Sequence, residues 1–123
     1  MRDLTIGEAE LEIMKVLWRA EAPINSQQIS AAVEEKGWKR TTISTFLTRL
    51  VQKGAVSAKK QGKMYLYSPG ISQKEYRKGQ TKNLIKSLYD GSISEFAVSL
   101  FKNEMLSKNE IEELKKLIDE IEE

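Results

Sequence analysis

The sequence contains no cysteine and no histidine among its 123 residues. Their absence excludes thiol nucleophiles, disulfides, zinc sites built from Cys or His, and acid–base catalysis by histidine. Carboxylates are the main remaining candidates for acid–base groups. We therefore predict that the chain is not an enzyme, and that it uses neither a metal nor another cofactor.

Long apolar runs are also missing. No segment approaches the roughly 20 residues that span a bilayer, and the opening MRDLTIGEAE lacks the apolar region of a signal peptide. We therefore expect a cytoplasmic protein without membrane insertion. A length of 123 residues allows one domain or two small ones.

Acidic residues are absent from one long stretch and concentrated in another. Residues 39–63 contain seven basic residues and no Asp or Glu, whereas residues 104–123 contain eight acidic residues against three lysines. The net charge of +2 hides this separation. The two regions therefore have different electrostatic roles.

The segment WKRTTISTFLTRLVQKG, residues 38–54, has two different surfaces at helical spacing. An apolar stripe predicts packing on a core, and it comprises Ile43, Phe46, Leu47, Leu50 and Val51. The opposite side carries Thr41, Thr45, Thr48 and Gln52, flanked by Thr42, Ser44 and Arg49. Threonine is a poor helix former, so its frequency needs another reason. Short hydroxyl side chains beside cations suit a phosphate-lined groove and contacts with base edges, although a tolerated polar face is the alternative.

The neighbouring patterns favour DNA binding. Thr5 and Glu8 predict a capping box for a first helix, and Asn25 and Gln28 predict one for a second helix that Gly37 closes. Residues 38–54 form a third helix, and AVSAKKQGKMYLYS then predicts a β-hairpin around Gln61 and Gly62. Three helices and a hairpin are the order of a winged helix, in which the third helix enters the major groove.

The predicted DNA-binding residues lie on the third helix and the hairpin. They are Lys39, Arg40, Thr41, Thr42, Thr45, Thr48, Arg49, Lys53, Lys59, Lys60 and Lys63. We interpret Trp18 and Trp38 as packing residues, and Tyr65 and Tyr67 as sheet packing, so none of the four is assigned to the site. The competing function is a winged helix that serves as a protein-binding assembly module and does not bind DNA.

From residue 72 the pattern changes. Ser72 with Glu75, Ser92 with Glu95, and Ser107 with Glu110 predict capping boxes for three more helices. Fifty-two residues are few for an independent core, so we predict dimerisation, with intramolecular packing against the first or second helix as the alternative. The predicted dimerisation residues are Leu84, Leu88, Phe96, Leu100, Phe101, Ile111, Leu114, Ile118 and Ile121. The last four form a short heptad seam.

The fold class is therefore mainly α with a small β-hairpin. It comprises a winged helix-turn-helix DNA-binding domain over 1–71 and a three-helix dimerisation domain over 72–123.

The chain resembles the BlaI/MecI family of penicillinase and methicillin-resistance repressors over nearly its whole length. The family pattern is matched by Trp38, Thr42, Thr45, Arg49, Leu50, Lys53 and Gly54, and SLYDG and FKNE resemble its C-terminal half. Lys39 departs from the pattern, because relatives often have a small residue at this helix start. The resemblance implies a homodimeric repressor that binds a palindromic DNA operator through Thr42, Thr45 and Arg49 and regulates antibiotic-resistance genes.

The resemblance also implies how repression ends. Family members paired with a membrane sensor protease are cut at an Asn-Phe bond, and the matching bond here is Ser99–Leu100. Induction by a bound ligand or by falling dimer concentration is the rival. Copper-sensing relatives hold their ion through C-terminal cysteines, which this chain lacks, so we expect no thiolate metal switch.

Overall fold

The computed structural model describes residues 4–122. A 3-10 turn at Glu34–Lys36 lies between the second and third helices. The elements are α1 (Glu8–Arg19), α2 (Ser26–Ala32), α3 (Arg40–Gln52), β1 (Val56–Gln61), β2 (Met64–Pro69), α4 (Gln73–Leu88), α5 (Ile93–Lys102) and α6 (Lys108–Glu122). The prediction of a mainly α chain with one small hairpin is confirmed. The backbone divides into two compact units, Met1–Gly79 and Gln80–Glu123. No helix in the described part of the chain is both long and apolar enough to cross a membrane.

The helix starts follow the sequence with one correction. The predicted Thr5–Glu8 capping box is wrong, because Gly7 is the N-cap of α1 and its N–H donates to Glu10 Oε1 at 2.9 Å. The Asn25–Gln28 box is confirmed, since each side chain accepts a hydrogen bond from the other residue's backbone N–H at 2.9 Å.

The second helix is shorter than predicted. It ends at Ala32, and the 3-10 turn carries the chain to Gly37. Gly37 has a φ of 68°, a conformation that favours glycine.

The core of the first unit lies between α1, α2, α3 and the hairpin. Its largest fully buried side chains are Ile13, Met14, Leu17, Ile29, Leu47 and Leu50. Trp18 donates from Nε1 to the Ile71 carbonyl at 2.9 Å, and the Trp38 ring meets Phe46 edge-on at 5.3 Å. Both tryptophans pack against the core, as predicted.

The end of α3 is set by backbone chemistry. Gly54 N–H donates to the Val51 carbonyl at 3.0 Å and Ala55 N–H to the Leu50 carbonyl at 2.9 Å, the hydrogen-bond pattern of a Schellman motif. Gly54 has a φ of 80°, which this motif requires of its left-handed residue. The motif ends the helix and directs the chain into the hairpin.

The hairpin has a defined register and a two-residue turn. Lys60 lies opposite Tyr65 and Gln61 opposite Met64, with Gly62 at a φ of 64° in the turn. Ile24 and Tyr67 exchange backbone hydrogen bonds of 3.1 and 2.7 Å, so the hairpin is attached to the segment before α2.

In the second unit, the predicted serines cap their helices, and a complete capping box is shown at Ser107 but not at Ser92. Ser92 Oγ accepts from Glu95 N–H at 3.1 Å, and Ser107 and Glu110 form both hydrogen bonds of a capping box, at 3.1 and 2.9 Å. In the first unit, Ser72 Oγ likewise accepts from Glu75 N–H at 3.1 Å at the start of α4.

Candidate nucleic-acid interface

The two surfaces of α3 separate as the spacing predicts, with one exception. Ile43, Leu47 and Leu50 are buried, and Phe46 is partly buried against the core. Val51 was predicted to lie on the core side, but it is 38% exposed. The stripe turns by about 100° per residue, so its last member has moved round to the edge of the buried face.

The polar surface of α3 is open to solvent over most of its residues. Thr41, Thr45, Thr48 and Gln52 are exposed, as are Ser44 and Arg49 on its flanks. Thr42 is partly buried. Because residues 39–63 contain no acid, no carboxylate on α3 or the hairpin opposes a phosphate at this surface.

Two threonine hydroxyls on this surface are bonded to the helix itself. Thr45 Oγ1 donates to the Thr41 carbonyl, and Thr48 Oγ1 donates to the Ser44 carbonyl, each at 2.9 Å. Such bonding to the preceding turn is the usual alternative to solvent for a hydroxyl within a helix. It fixes where the hydroxyl protons of both side chains point.

The cations at the start and middle of α3 are available for a ligand. Lys39, Arg40 and Arg49 are exposed, and none of them forms an ion pair within residues 4–122. Lys39 is the N-cap of α3 and its side chain makes no capping hydrogen bond. The start of α3 is therefore left without a side-chain cap.

Lys53 is differently placed from the other predicted cations. Its Nζ lies 2.8 Å from Glu10 Oε1, and the Glu10 side chain is 8% exposed. Lys53 caps the C-terminal end of α3 and Glu10 lies in the first turn of α1, so each charge also suits the dipole of its own helix. The pair ties α3 to α1, a role that the sequence did not reveal because the two residues are 43 positions apart.

The charge state of Glu10 is set by this contact. Burial alone raises the pKa of Glu10, but the hydrogen bonds from Lys53 and from Gly7 N–H, with the nearby charges of Lys53 and Arg49, hold the pKa below its ordinary value. The second carboxylate oxygen, Oε2, is buried without a hydrogen-bond partner within the described structure. The Lys53 ammonium is therefore the principal compensation for a buried charge.

The hairpin lysines do not share one face. Lys60 lies opposite Tyr65, on the same face as Ala58 and Tyr67, whereas Lys59 points to the other face because side chains alternate along a strand. Lys63 follows Gly62 in the turn. All three lysines are exposed, so the hairpin tip offers cations in different directions.

The face that carries Lys60 adjoins α3. A groove of about 270 Å³ runs between the two elements and is lined by Leu47, Thr48, Val51, Gln52, Ala58, Tyr65 and Tyr67. Tyr67 packs against the core as predicted, but Tyr65 is 49% exposed. Tyr65 lies opposite Lys60 in the hairpin and lines this groove, so much of its surface is open beside the candidate interface.

Residues of α2 that the sequence reading missed belong to the same surface. Ser26, Gln27 and Ser30 line a recess with Arg40, Ile43 and Ser44 where α2 meets α3. Helix α2 contains no charged residue, and its hydroxyl and amide groups are short polar groups of the kind that contact DNA phosphates. The absence of acidic residues from SQQISAA could have indicated this surface in the sequence. The apolar residues of the segment instead pointed only to core packing.

The predicted dimerisation residues lie in the second unit and are incompletely buried. Leu84, Leu88, Phe101, Leu114, Ile118 and Ile121 are exposed, and Phe96, Leu100 and Ile111 are partly exposed. The Ser99–Leu100 bond lies within α5. Ser99 Oγ donates to the Phe96 carbonyl at 2.6 Å and lies 3.1 Å from the Tyr89 hydroxyl, so this turn is held by side-chain contacts as well as by the helix.

Comparison with known proteins identifies the family. The model of the penicillinase repressor family matches residues 6–120. The chain belongs to this family. Its members are transcriptional repressors, so the prediction of a DNA-binding repressor that is not an enzyme is confirmed.

The relatives match this chain over nearly its whole length, and the solved BlaI domain matches part of it. The Bacillus licheniformis penicillinase repressor is 31% identical over 94% of this chain and 90% of its own length, and the Staphylococcus aureus (strain N315) methicillin resistance regulatory protein MecI is 30% identical over 93% of each. The solution structure of the DNA-binding domain of the repressor BlaI has a TM-score of 0.54 at 36% identity, and covers 62% of this chain and 94% of that domain. This similarity confirms the predicted winged helix.

Proposed function

We propose that this repressor binds a palindromic operator as a homodimer, with α3 in the major groove of each half-site and the hairpin on the adjacent backbone. The observation that carries the proposal is the exposed α3 surface, where hydroxyl side chains lie beside Arg40 and Arg49 and no acid opposes them. Hydroxyls and arginine suit base edges and phosphates together.

A related complex supports this use of the surface. The solution structure of monomeric Bacillus licheniformis BlaI with the blaP half-operator has a TM-score of 0.51 and 36% identity, over 59% of this chain and 89% of that one. One protomer of that relative therefore occupies one half-operator. Two protomers of this chain on a palindrome are the corresponding full assembly.

The proposed interface includes most of the predicted cations. Arg49 is available for a bidentate contact with guanine or for a phosphate, and Lys59, Lys60 and Lys63 for the backbone. Ser26, Gln27 and Ser30 on α2 add polar contacts to the backbone. Lys53 is left out, because its ammonium is engaged with Glu10.

The homodimer is proposed to form through the second unit. Among the described residues of that unit, Ile85 is the one buried large apolar side chain. An exposed apolar face on α6 contains Leu114, Leu117, Ile118 and Ile121. A second copy offers the same face, and a two-fold interface is self-complementary. Linking two DNA-binding units raises the effective concentration of the second unit at its half-site.

Repression is proposed to end by cleavage of the Ser99–Leu100 bond by a membrane sensor protease in the regulation of antibiotic-resistance genes. The cut would separate Phe101 and all of α6 from the DNA-binding unit, so the dimer would lose its seam. Because the bond lies in a helix whose Ser99 is held by Phe96 and Tyr89, the free protein should be cut slowly. Mass spectrometry before and after exposure of cells to a cell-wall antibiotic tests this step, and a chain that stays intact during full derepression rejects it.

The DNA-binding proposal is tested by affinity for duplex DNA as a function of salt. If each protomer neutralises three or four phosphates, log K of the dimer should fall with log salt with a slope of about −5 to −7. Arg49→Ala should weaken operator binding by about 1–3 kcal/mol without unfolding, whereas Arg77→Ala, an exposed arginine on α4, should not. Weak, salt-independent binding would instead indicate a protein-binding assembly module.

A further inference from the structure

Each exposed threonine of α3 carries a hydroxyl and a methyl group, and the structure shows how the hydroxyl is used in two of them. In both Thr45 and Thr48 the hydroxyl proton is donated to a carbonyl one turn earlier, at 2.9 Å. A hydroxyl has a single proton. While these bonds persist, neither side chain has a donor left for DNA.

The remaining chemistry of each side chain is a methyl group and an oxygen lone pair. Both side chains are exposed. The oxygen of each side chain is hydrogen-bonded to its own helix. The Cγ2 methyl is therefore the other group that each threonine can offer to a ligand at the α3 surface. That surface therefore offers apolar contact and an acceptor at positions where a free hydroxyl would also offer a donor.

The base pairs respond differently to such a surface. Thymine alone presents a methyl group in the major groove, and adenine presents an amino donor beside its N7. Guanine presents two acceptors, N7 and O6, which a methyl group and an oxygen lone pair leave unsatisfied. A T·A pair therefore matches a threonine whose hydroxyl proton is already bonded to the helix, because it offers a methyl group for apolar contact and an amino donor for the oxygen lone pair.

We infer that Thr45 and Thr48 are specificity-determining residues that select thymine through their methyl groups and not through their hydroxyls. The inference rests on the proposed placement of α3 in the major groove. The two residues are three positions apart and so lie on neighbouring turns of one face, which lets them address nearby base pairs. Arg49, on the flank of the same face, retains its donors for guanine or phosphate.

The inference predicts opposite results for two conservative substitutions. Thr45→Ser keeps the hydroxyl and removes the methyl, whereas Thr45→Val removes the hydroxyl and keeps the methyl. We expect Thr45→Ser to weaken operator binding about three- to five-fold, the effect of one buried methyl group. Thr45→Val should bind within about two-fold of the parent chain, and the same pair of results is expected at Thr48.

The DNA side of the contact is tested with the same protein. A duplex is first selected from a random library by the full-length chain, and each thymine in it is then replaced by deoxyuridine, which lacks only the methyl group. At the thymine that Thr45 contacts, deoxyuridine should weaken the parent chain three- to five-fold and should weaken Thr45→Ser no further. Thr81→Ser and Thr81→Val on the exposed part of α4 are the matched controls and should leave binding unchanged.

Failure of operator binding and failure of thymine selection by the threonine methyl groups give different results in these experiments. If the library yields no enriched duplex, the operator-binding proposal itself fails. If a duplex is enriched but Thr45→Val and Thr48→Val bind more weakly than the serine variants, the hydroxyls read the DNA and the inference is overturned. Additive losses from Thr45→Ser and deoxyuridine at every thymine, with the same result for Thr48, would also overturn it. Circular dichroism of each variant shows that a loss of binding does not come from unfolding.

Discussion

Helices α3 and α6 are both amphipathic, yet they use opposite faces. Helix α3 buries Ile43, Leu47 and Leu50 in its own unit and presents uncharged hydroxyls and arginine outward. Helix α6 presents an apolar face, on which Ile118 is 54% and Ile121 82% exposed, while its polar side is strongly acidic. The same periodicity therefore means core packing in one helix and an open surface in the other.

The difference shows what amphipathic spacing does and does not determine. Periodicity identifies the apolar face, but not whether the chain itself covers that face. Of the thirteen large apolar side chains exposed in the described structure, ten follow residue 80. Contiguous exposed apolar surface marks an interaction site, so α3 is expected to act through its polar face and α6 through its apolar one.

The largest expected effect comes from shortening an apolar side chain to alanine on the apolar face of α3, compared with the same kind of change on α6. Leu50→Ala creates a cavity in the core, since Leu50 is completely buried, and should lower the free energy of unfolding by about 2–5 kcal/mol. Ile121→Ala on α6 removes an 82% exposed side chain and should change the stability of the isolated protomer by less than about 0.5 kcal/mol. Urea unfolding at dilute protein concentration measures both, and equal losses would contradict the contrast between the helices.

A charge on the apolar face of α6 is expected to act on assembly. Ile118→Lys places an unpaired ammonium on the proposed seam and should shift the protein to monomers, with operator affinity falling on the order of a hundredfold through lost coupling. Asn109→Lys adds the same charge on the opposite side of α6 and is the matched control. Sedimentation and operator titration follow the two steps, and an intact dimer of Ile118→Lys would move the interface elsewhere.

Much of the fold could be predicted from the sequence because its signals are local. The Asn25 and Ser107 capping boxes and the Gly54 helix end use residues within a few positions of one another. The polar face of α3 followed from its spacing. The Glu10–Lys53 tie could not be predicted, because it depends on how α1 packs against α3. The back-bonded threonine hydroxyls depend on a rotamer, which spacing does not give.

A smaller effect should distinguish a buried ion pair from a surface pair on the same helix. Glu10→Gln removes the charge that holds Lys53 and should cost about 1–3 kcal/mol of stability near pH 7. Glu12 pairs with Lys15 at 3.1 Å and with Lys36 at 3.6 Å in a more exposed setting, so Glu12→Gln should cost clearly less stability than Glu10→Gln. Thermal or urea unfolding of both variants gives the comparison, and equal costs would show that the burial of Glu10 does not strengthen its contact.

The same pair sets a direction of pH dependence. Because the folded-state pKa of Glu10 is lowered, its stabilisation is present above the ordinary value of 4.5 and is lost as the pH falls through the lowered pKa. The stability difference between the parent chain and Glu10→Gln should therefore be constant near neutrality and shrink below about pH 4.5. A difference that grows on acidification would reverse the assigned sign.

The smallest expected effect concerns single cations at the hairpin tip. If Lys60 contacts one phosphate, Lys60→Ala should make the salt slope of operator binding less steep by about 0.9 and should leave base preference unchanged. Lys59 points to the other face of the hairpin, so comparing Lys59→Ala with Lys60→Ala tells which face lies toward the DNA. Lys82→Ala on α4 is the control for an exposed lysine outside the proposed interface. Equal changes in all three variants would show that general charge, and not the position of the hairpin, sets the salt response.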